Sequence, residues 1–287
     1  MRRVIAIVLL TMSAILVPIA VVGAWAQTEL LDTDRFVENF APLATHPEIQ
    51  EVVTEQVTEA ITTELLQLNP IAAALVNSIV RGQVERFVTS PQFAQIWEIS
   101  LRETHARTIT LLDGDPDAAL QLGDDGLLSL HIGPIVAAVQ ESLVAQGVPM
   151  ANLIPEVHHS IALVSSDSFT MIRTIYQVAN FAGSWLLFVA AGLAVVGIVV
   201  AENRLRAIGW TSVGWVLTLG VLGGALVFTR GYAIERRPEF LSEDASLLMF
   251  DQFTAGLVVN LRWFVILSLV VGATSALTTV WRRSRTA

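Results

Sequence analysis

The amino-acid sequence predicts a membrane protein: an α-helical transmembrane bundle of four spans carrying an extracytoplasmic, mostly helical α+β domain. Three observations carry this reading. The 287 residues are 53% hydrophobic and only 15% charged, with a mean hydropathy of +0.61, well above a typical soluble domain. The apolar residues gather in four uncharged blocks, each near the length of a bilayer crossing. The charges are sorted along the chain. Residues 27–180 hold 20 acids and 6 arginines, a net of −14, while Arg2-Arg3, Glu202 to Arg206 and Arg282 to Arg285 together hold 7 arginines and 1 acid, a net of +6. Short basic segments stay in the cytoplasm. The sorting therefore predicts export of residues 27–180, and cytoplasmic termini if the first segment is uncleaved.

The first block, Val4 to Ala26, has two readings within residues 1–26. As a signal anchor it is long enough to span, with Trp25 in the outer aromatic belt. As a cleavable signal peptide it offers Ala24-Trp25-Ala26, a small-x-small motif. A typical apolar core of a signal peptide is about 7–15 residues, shorter than this one, which favours the anchor.

Residues 27–180 read as the extracytoplasmic domain. Thr33 or Asp34 is expected to cap a short helix through Arg35-Phe36-Val37. Pro47, Pro70 and Pro91 each stand where a first-turn proline is tolerated and predict three successive helices. The first places Ile49, Val53, Val57, Ile61 and Leu65 on one face and Glu51, Glu55 and Glu59 on another. After Asp113-Gly114 the period changes. Residues 118–122 and 127–131, joined by Gly123-Asp124-Asp125-Gly126, predict a β-hairpin. A helix is expected from Gly133-Pro134 to Gly147 and a third strand from Val157 to Val164.

Residues 181–287 read as three transmembrane helices, Phe181 to Ala201, Ala207 to Phe228 and Trp263 to Trp281, with an outer loop over 229–252. No proline interrupts the pattern from Ser168 into the first of them, which predicts one helix joining domain and membrane. Arg262 is expected at the outer interface.

The chemistry-bearing residues are few. The absence of cysteine removes thiolate catalysis and thiolate metal ligation, and the acidity opposes nucleic-acid binding. The last three spans lack Asp, Glu and His, against proton- or ion-coupled transport. Asp113, Asp115, Asp117 and Asp124 have the spacing of a calcium loop, but Ala118 stands where that loop requires Gly, so a solvated acidic turn is the plainer reading. His105, His131, His158 and His159 are the candidate zinc ligands, assembled only from distant parts of the chain. His105 falls on an apolar helix face, where a core histidine is the ordinary outcome. Ser165, Ser166 and Ser168 read as helix caps. Gly220 with Gly224, Ser268 with Gly272 and Gly272 with Ala276 are small-xxx-small pairs, which suit either internal helix packing or an oligomer seam. No cofactor is expected. The partners expected are the bilayer and a protein or second copy in the envelope.

Leu31-Asp32-Thr33-Asp34-Arg35-Phe36-Val37, Ala41-Pro42-Leu43-Ala44, His46-Pro47-Glu48-Ile49-Gln50, Phe93-x-x-x-Trp97 with His105, the Gly123-Asp124-Asp125-Gly126 turn, and the Arg204/Arg206 ending of the second span resemble a recurrent pattern in uncharacterised actinobacterial integral membrane proteins. The resemblance implies a cell-envelope location and an anchor, an extracytoplasmic domain and three C-terminal spans. It carries over no functional residue. The expected function is non-enzymatic: binding, scaffolding or assembly through the exported domain. The alternatives are a metal-dependent extracytoplasmic enzyme and a sensor subunit.

Overall fold

A computed structural model of the chain describes residues 1–68, 70–113, 128–131, 137, 140–141, 144, 160–164, 166–238 and 240–284. Helix α1 runs Arg2–Trp25 and continues as a π turn over Ala26–Leu30. Pro18 lies inside α1 without ending it, which a packed membrane helix tolerates. Helix α2 (Thr33–Phe40) passes into a 3-10 turn at Ala41–Thr45 that opens on Pro42. Helices α3 (Pro47–Leu68), α4 (Pro70–Val88) and α5 (Pro91–Asp113) each begin on the proline that announced them, because a first-turn N–H has no intrahelical acceptor to lose. Ser90 caps α5, its Oγ accepting from Phe93 N at 3.4 Å.

Strands β1 (Leu128–His131) and β2 (Ser160–Val164) follow, then α6 (Ser166–Val200), α7 (Arg204–Glu235) and α8 (Glu243–Ser284). Asn203 caps α7, its Oδ1 accepting from Arg206 N at 3.1 Å. Ser242 does the same for α8, accepting from Ala245 N at 3.1 Å.

The chain divides into two compact units. The membrane unit comprises Met1–Asp32, Ile175–Glu235 and Phe250–Ala287. Its core is Val17, Val21, Trp25 and Ala26 from the first helix with Ala190, Leu219 and Leu257. Ser13, fully buried, donates to Ala190 O of α6 at 2.8 Å and accepts from Trp215 Nε1 of α7 at 3.2 Å. Ser275 of α8 donates to Leu205 O of α7 at 2.6 Å. Three helical stretches are long and apolar enough to cross a membrane, Arg2–Leu30, Arg204–Glu235 and Glu243–Trp281. The four crossings expected are thus three by length and composition among the described residues. The apolar part of α6 there, Trp185–Val200, is shorter than a crossing.

The second unit comprises Thr33–Thr174 and Arg236–Met249. Helices α3 and α4 form an antiparallel hairpin around Val57, Ile61, Val80 and Val84, tied outside by Arg81 Nη2 to Glu51 Oε1 at 2.6 Å. A second cluster joins Phe40, Leu43, Ile49 and Ala245, with Trp97, Leu101, Leu241 and Leu248 against it. Trp97 Nε1 donates to Phe40 O at 3.2 Å, locking α5 to the end of α2.

Two expectations need correction. The unit is helical rather than α+β: the described ladder has two strands of 4 and 5 residues, too small to make a layer of its own. Leu128–His131 pairs antiparallel with Ser160–Val164, with Leu130 opposite Ile161; the expected hairpin partner over 118–122 lies outside the described residues. Residues 118–127 lie outside the described residues; of the helix expected over 133–147, Ala137, Gln140, Glu141 and Val144 are described and helical. The outer loop expected over 229–252 is mostly helix, since α7 continues to Glu235 and α8 begins at Glu243. Arg230 and Asp251 broke the apolar pattern there, yet they pair with each other across the two helices at 2.8 and 2.9 Å. Domain and membrane are joined by helix as expected, α6 running unbroken for 35 residues.

Candidate functional site

In the second unit an open groove of about 390 Å³ lies between α2 with its 3-10 turn and α5. Helix α2 is short and two-faced. Phe36, Val37 and Phe40 turn inward while Asp34 and Glu38, one turn apart, line the groove. From α5 come Ala94, Glu98 and Arg102 at successive four-residue steps, with Gln95 beside them. Ala94 is small and leaves the space open. Val37, Ala41 and Pro42 complete the apolar lining.

Three carboxylates, Asp34, Glu38 and Glu98, and one guanidinium, Arg102, line this groove. Arg102 pairs with Asp34 across the two helices and lies 4.0 Å from Glu98 on its own. Arg35, at the margin, pairs with Glu38 at 3.2 Å. These side chains are half-exposed or more, and exposed ion pairs contribute about 0–1 kcal/mol each. Pairs of this kind exchange for other ionic partners at small cost. Among the described lining residues no nucleophile is paired with a base.

His105 lies behind α2 and not in the groove. It is buried, its ring stacks on Phe36 at 4.1 Å and 19°, and Nδ1 meets Thr33 Oγ1 at 3.1 Å. Thr33 is thus the first residue of α2 and a partner of His105 rather than the cap expected of it. A ring held this way on both its face and Nδ1 is part of the core. His105→Phe is expected to keep the stack, lose the hydrogen bond, and cost about 1 kcal/mol of stability. A thermal unfolding midpoint that also falls when zinc is chelated from the unsubstituted protein would overturn this structural role.

The other candidate residues separate. Asp113 ends α5 and is exposed, while Asp115, Asp117, Asp124, His158, His159 and Ser165 lie outside the described residues. His131 is in β1, opposite Ser160. Among the described residues no three His, Asp or Glu side chains come together as a metal site. Of the small-residue pairs, Gly272 packs on Ser212 of α7, a Cβ there falling 3.1 Å from Ser212 Cβ, and Ser268 is buried. Ala276 is exposed, and Gly220 and Gly224 face open space. The sequence reading missed Asp34, Glu38, Glu98 and Arg102 as a group. Their only local signal is a four-residue spacing within each helix, and nothing in it pairs α2 with α5.

The fold and the groove define a class: a helical membrane protein, by its three crossing-length apolar helices, with a polar helical unit that carries an acidic cleft. Comparison with protein-family models, with curated proteins and with solved structures finds no match to this chain.

Proposed function

We propose that this is an integral cell-envelope protein of non-enzymatic character, whose polar unit is extracytoplasmic and binds a partner protein or envelope component through the α2–α5 groove. The supporting observation is the groove itself, with an apolar lining and three carboxylates against one arginine. The orientation rests on charge sorting: seven arginines cluster in the short segments assigned to the cytoplasm, and residues 27–180 are strongly acidic. In this reading α6 is the fourth crossing, its apolar C-terminal part following Asn180. Kinship with the actinobacterial membrane proteins that the sequence resembles fits the same picture.

The chain has no cysteine, so single-cysteine variants report cleanly. Glu59→Cys is expected to react with a membrane-impermeant maleimide on intact cells, and Asn203→Cys only after permeabilisation. The reverse pattern overturns the orientation. For the groove, a photo-crosslinker attached at Ala94→Cys is expected to yield an adduct that Glu98→Arg abolishes, whereas the same probe at Glu55→Cys on α3 yields none. Equal adducts at both positions would sink the groove as the binding surface.

A sensor reading has one specific observation behind it. Helices α6 and α8 each run unbroken across the boundary between the two units, so a partner bound to the polar unit would have two continuous helices through which to act on the membrane unit.

A further inference from the structure

Ala24-Trp25-Ala26 has the form of a leader-peptide cleavage motif, yet the helix preceding it is the best-buried of the crossing-length helices. One third of its most apolar stretch, 33%, is buried, against 17% for α7 and 11% for α8. We infer that α1 is the permanent central helix of the membrane unit and that Ala24-Trp25-Ala26 is never cut. The inference stands whether or not the groove binds a partner.

Four features point the same way. Ser13 ties α1 to both α6 and α7, through Ala190 O and Trp215 Nε1. Removing α1 would strand that indole N–H in hydrocarbon, where no water replaces the lost partner. It would also strip cover from Ala190 and Leu219, which are 1% and 0% exposed. The neighbours are shaped to α1 at close range. A Cβ on Gly183 would stand 2.7 Å from Gly23 O, one on Gly197 3.3 Å from Leu9 Cβ, and one on Gly214 3.3 Å from Ala14 Cβ. Finally, two of the motif's three residues are buried and all three are helical. Trp25 and Ala26 are 6% and 8% exposed, and the π turn beyond them is sealed by Thr28 Oγ1, which donates to Ala24 O at 2.9 Å and to Trp25 O at 3.2 Å. Proteolytic cuts fall in exposed, extended segments, and this one is neither.

The test uses the full chain, tagged at its C-terminus and extracted from native membranes. The expected result is an intact mass of 31.1 kDa plus the tag and an N-terminal sequence that includes Arg2-Arg3. A mature N-terminus at Gln27 overturns the inference. The central position is tested separately with two cysteine pairs, Leu9→Cys with Gly197→Cys and Ala14→Cys with Gly214→Cys. Their Cβ separations approach those of natural disulfides. Both pairs are expected to crosslink on mild oxidation in membranes, and Leu9→Cys with Gly220→Cys to remain reduced. Intact mass with neither pair crosslinked would show a retained helix outside the bundle, which also overturns the inference.

Discussion

Residues 27–180 produced alone are expected to lack a cooperative unfolding transition, although the sequence marks them off as a domain. The core of the polar unit is not made from that segment alone. Ala245, fully buried, sits with Phe40, Leu43 and Ile49, and Leu241 and Leu248 pack against the same cluster. All three come from the stretch between α7 and the second turn of α8. Two partly buried leucines and a buried alanine are worth roughly 2–4 kcal/mol of apolar burial, a large fraction of the stability of a small domain. Their loss also uncovers Phe40, Leu43 and Trp97, a surface suited to aggregation. Near-UV circular dichroism with a thermal melt checks this. Segment 27–180 is expected to melt without a sigmoid, and the same segment with residues 236–249 joined by a Gly/Ser linker is expected to regain one. Equal melting midpoints for the two forms would show that α8 contributes nothing to this core.

That dependence explains why the sequence was legible in some places and opaque in others. Helix starts were legible because Pro47, Pro70 and Pro91 announce themselves locally, each by a property of its own backbone nitrogen. The continuity of α6 was legible for the same kind of reason, since nothing between Ser168 and Val200 breaks a helix. The ends of α7 and α8 were opaque because Arg230 and Asp251 look like loop residues one at a time. Only their mutual, two-pronged pairing makes them a clamp between helices. The groove was opaque because Asp34 and Arg102 are 68 positions apart. Ser13 was opaque too: a lone hydroxyl in an apolar run is unremarkable until its acceptor, 177 positions away, is known. Local chemistry fixes elements, whereas the site and the bundle's centre depend on pairings that only the fold supplies.

Gly183→Ala and Gly220→Ala are expected to move stability in opposite directions, though both remove a glycine from an apolar helix. At Gly183 the new methyl would lie 2.7 Å from Gly23 O, 2.7 Å from Gln27 Oε1 and 2.9 Å from Gln27 Cβ. The Gln27 carboxamide can swing aside, but its Cβ is fixed by the backbone. The carbonyl of Gly23 cannot move either, because it belongs to the backbone of α1, so the two helices must part and loosen the packing along their length. Overpacking of this kind costs about 1–3 kcal/mol, and a backbone obstruction puts this site at about 3 kcal/mol. At Gly220 no atom lies within 4 Å of the added methyl. The change there only trades glycine for the better helix former, worth about 0.5–1 kcal/mol in favour of alanine. Gly224, equally open, is expected to follow Gly220. Unfolding in mixed detergent micelles distinguishes the three variants. A midpoint for Gly220→Ala or Gly224→Ala that falls as far as that of Gly183→Ala would mean that another surface closes on α7 at those glycines. Small residues outside a monomer's packing cost stability when enlarged only if something else is pressed against them, and a second copy of α7 would then be the first occupant to test.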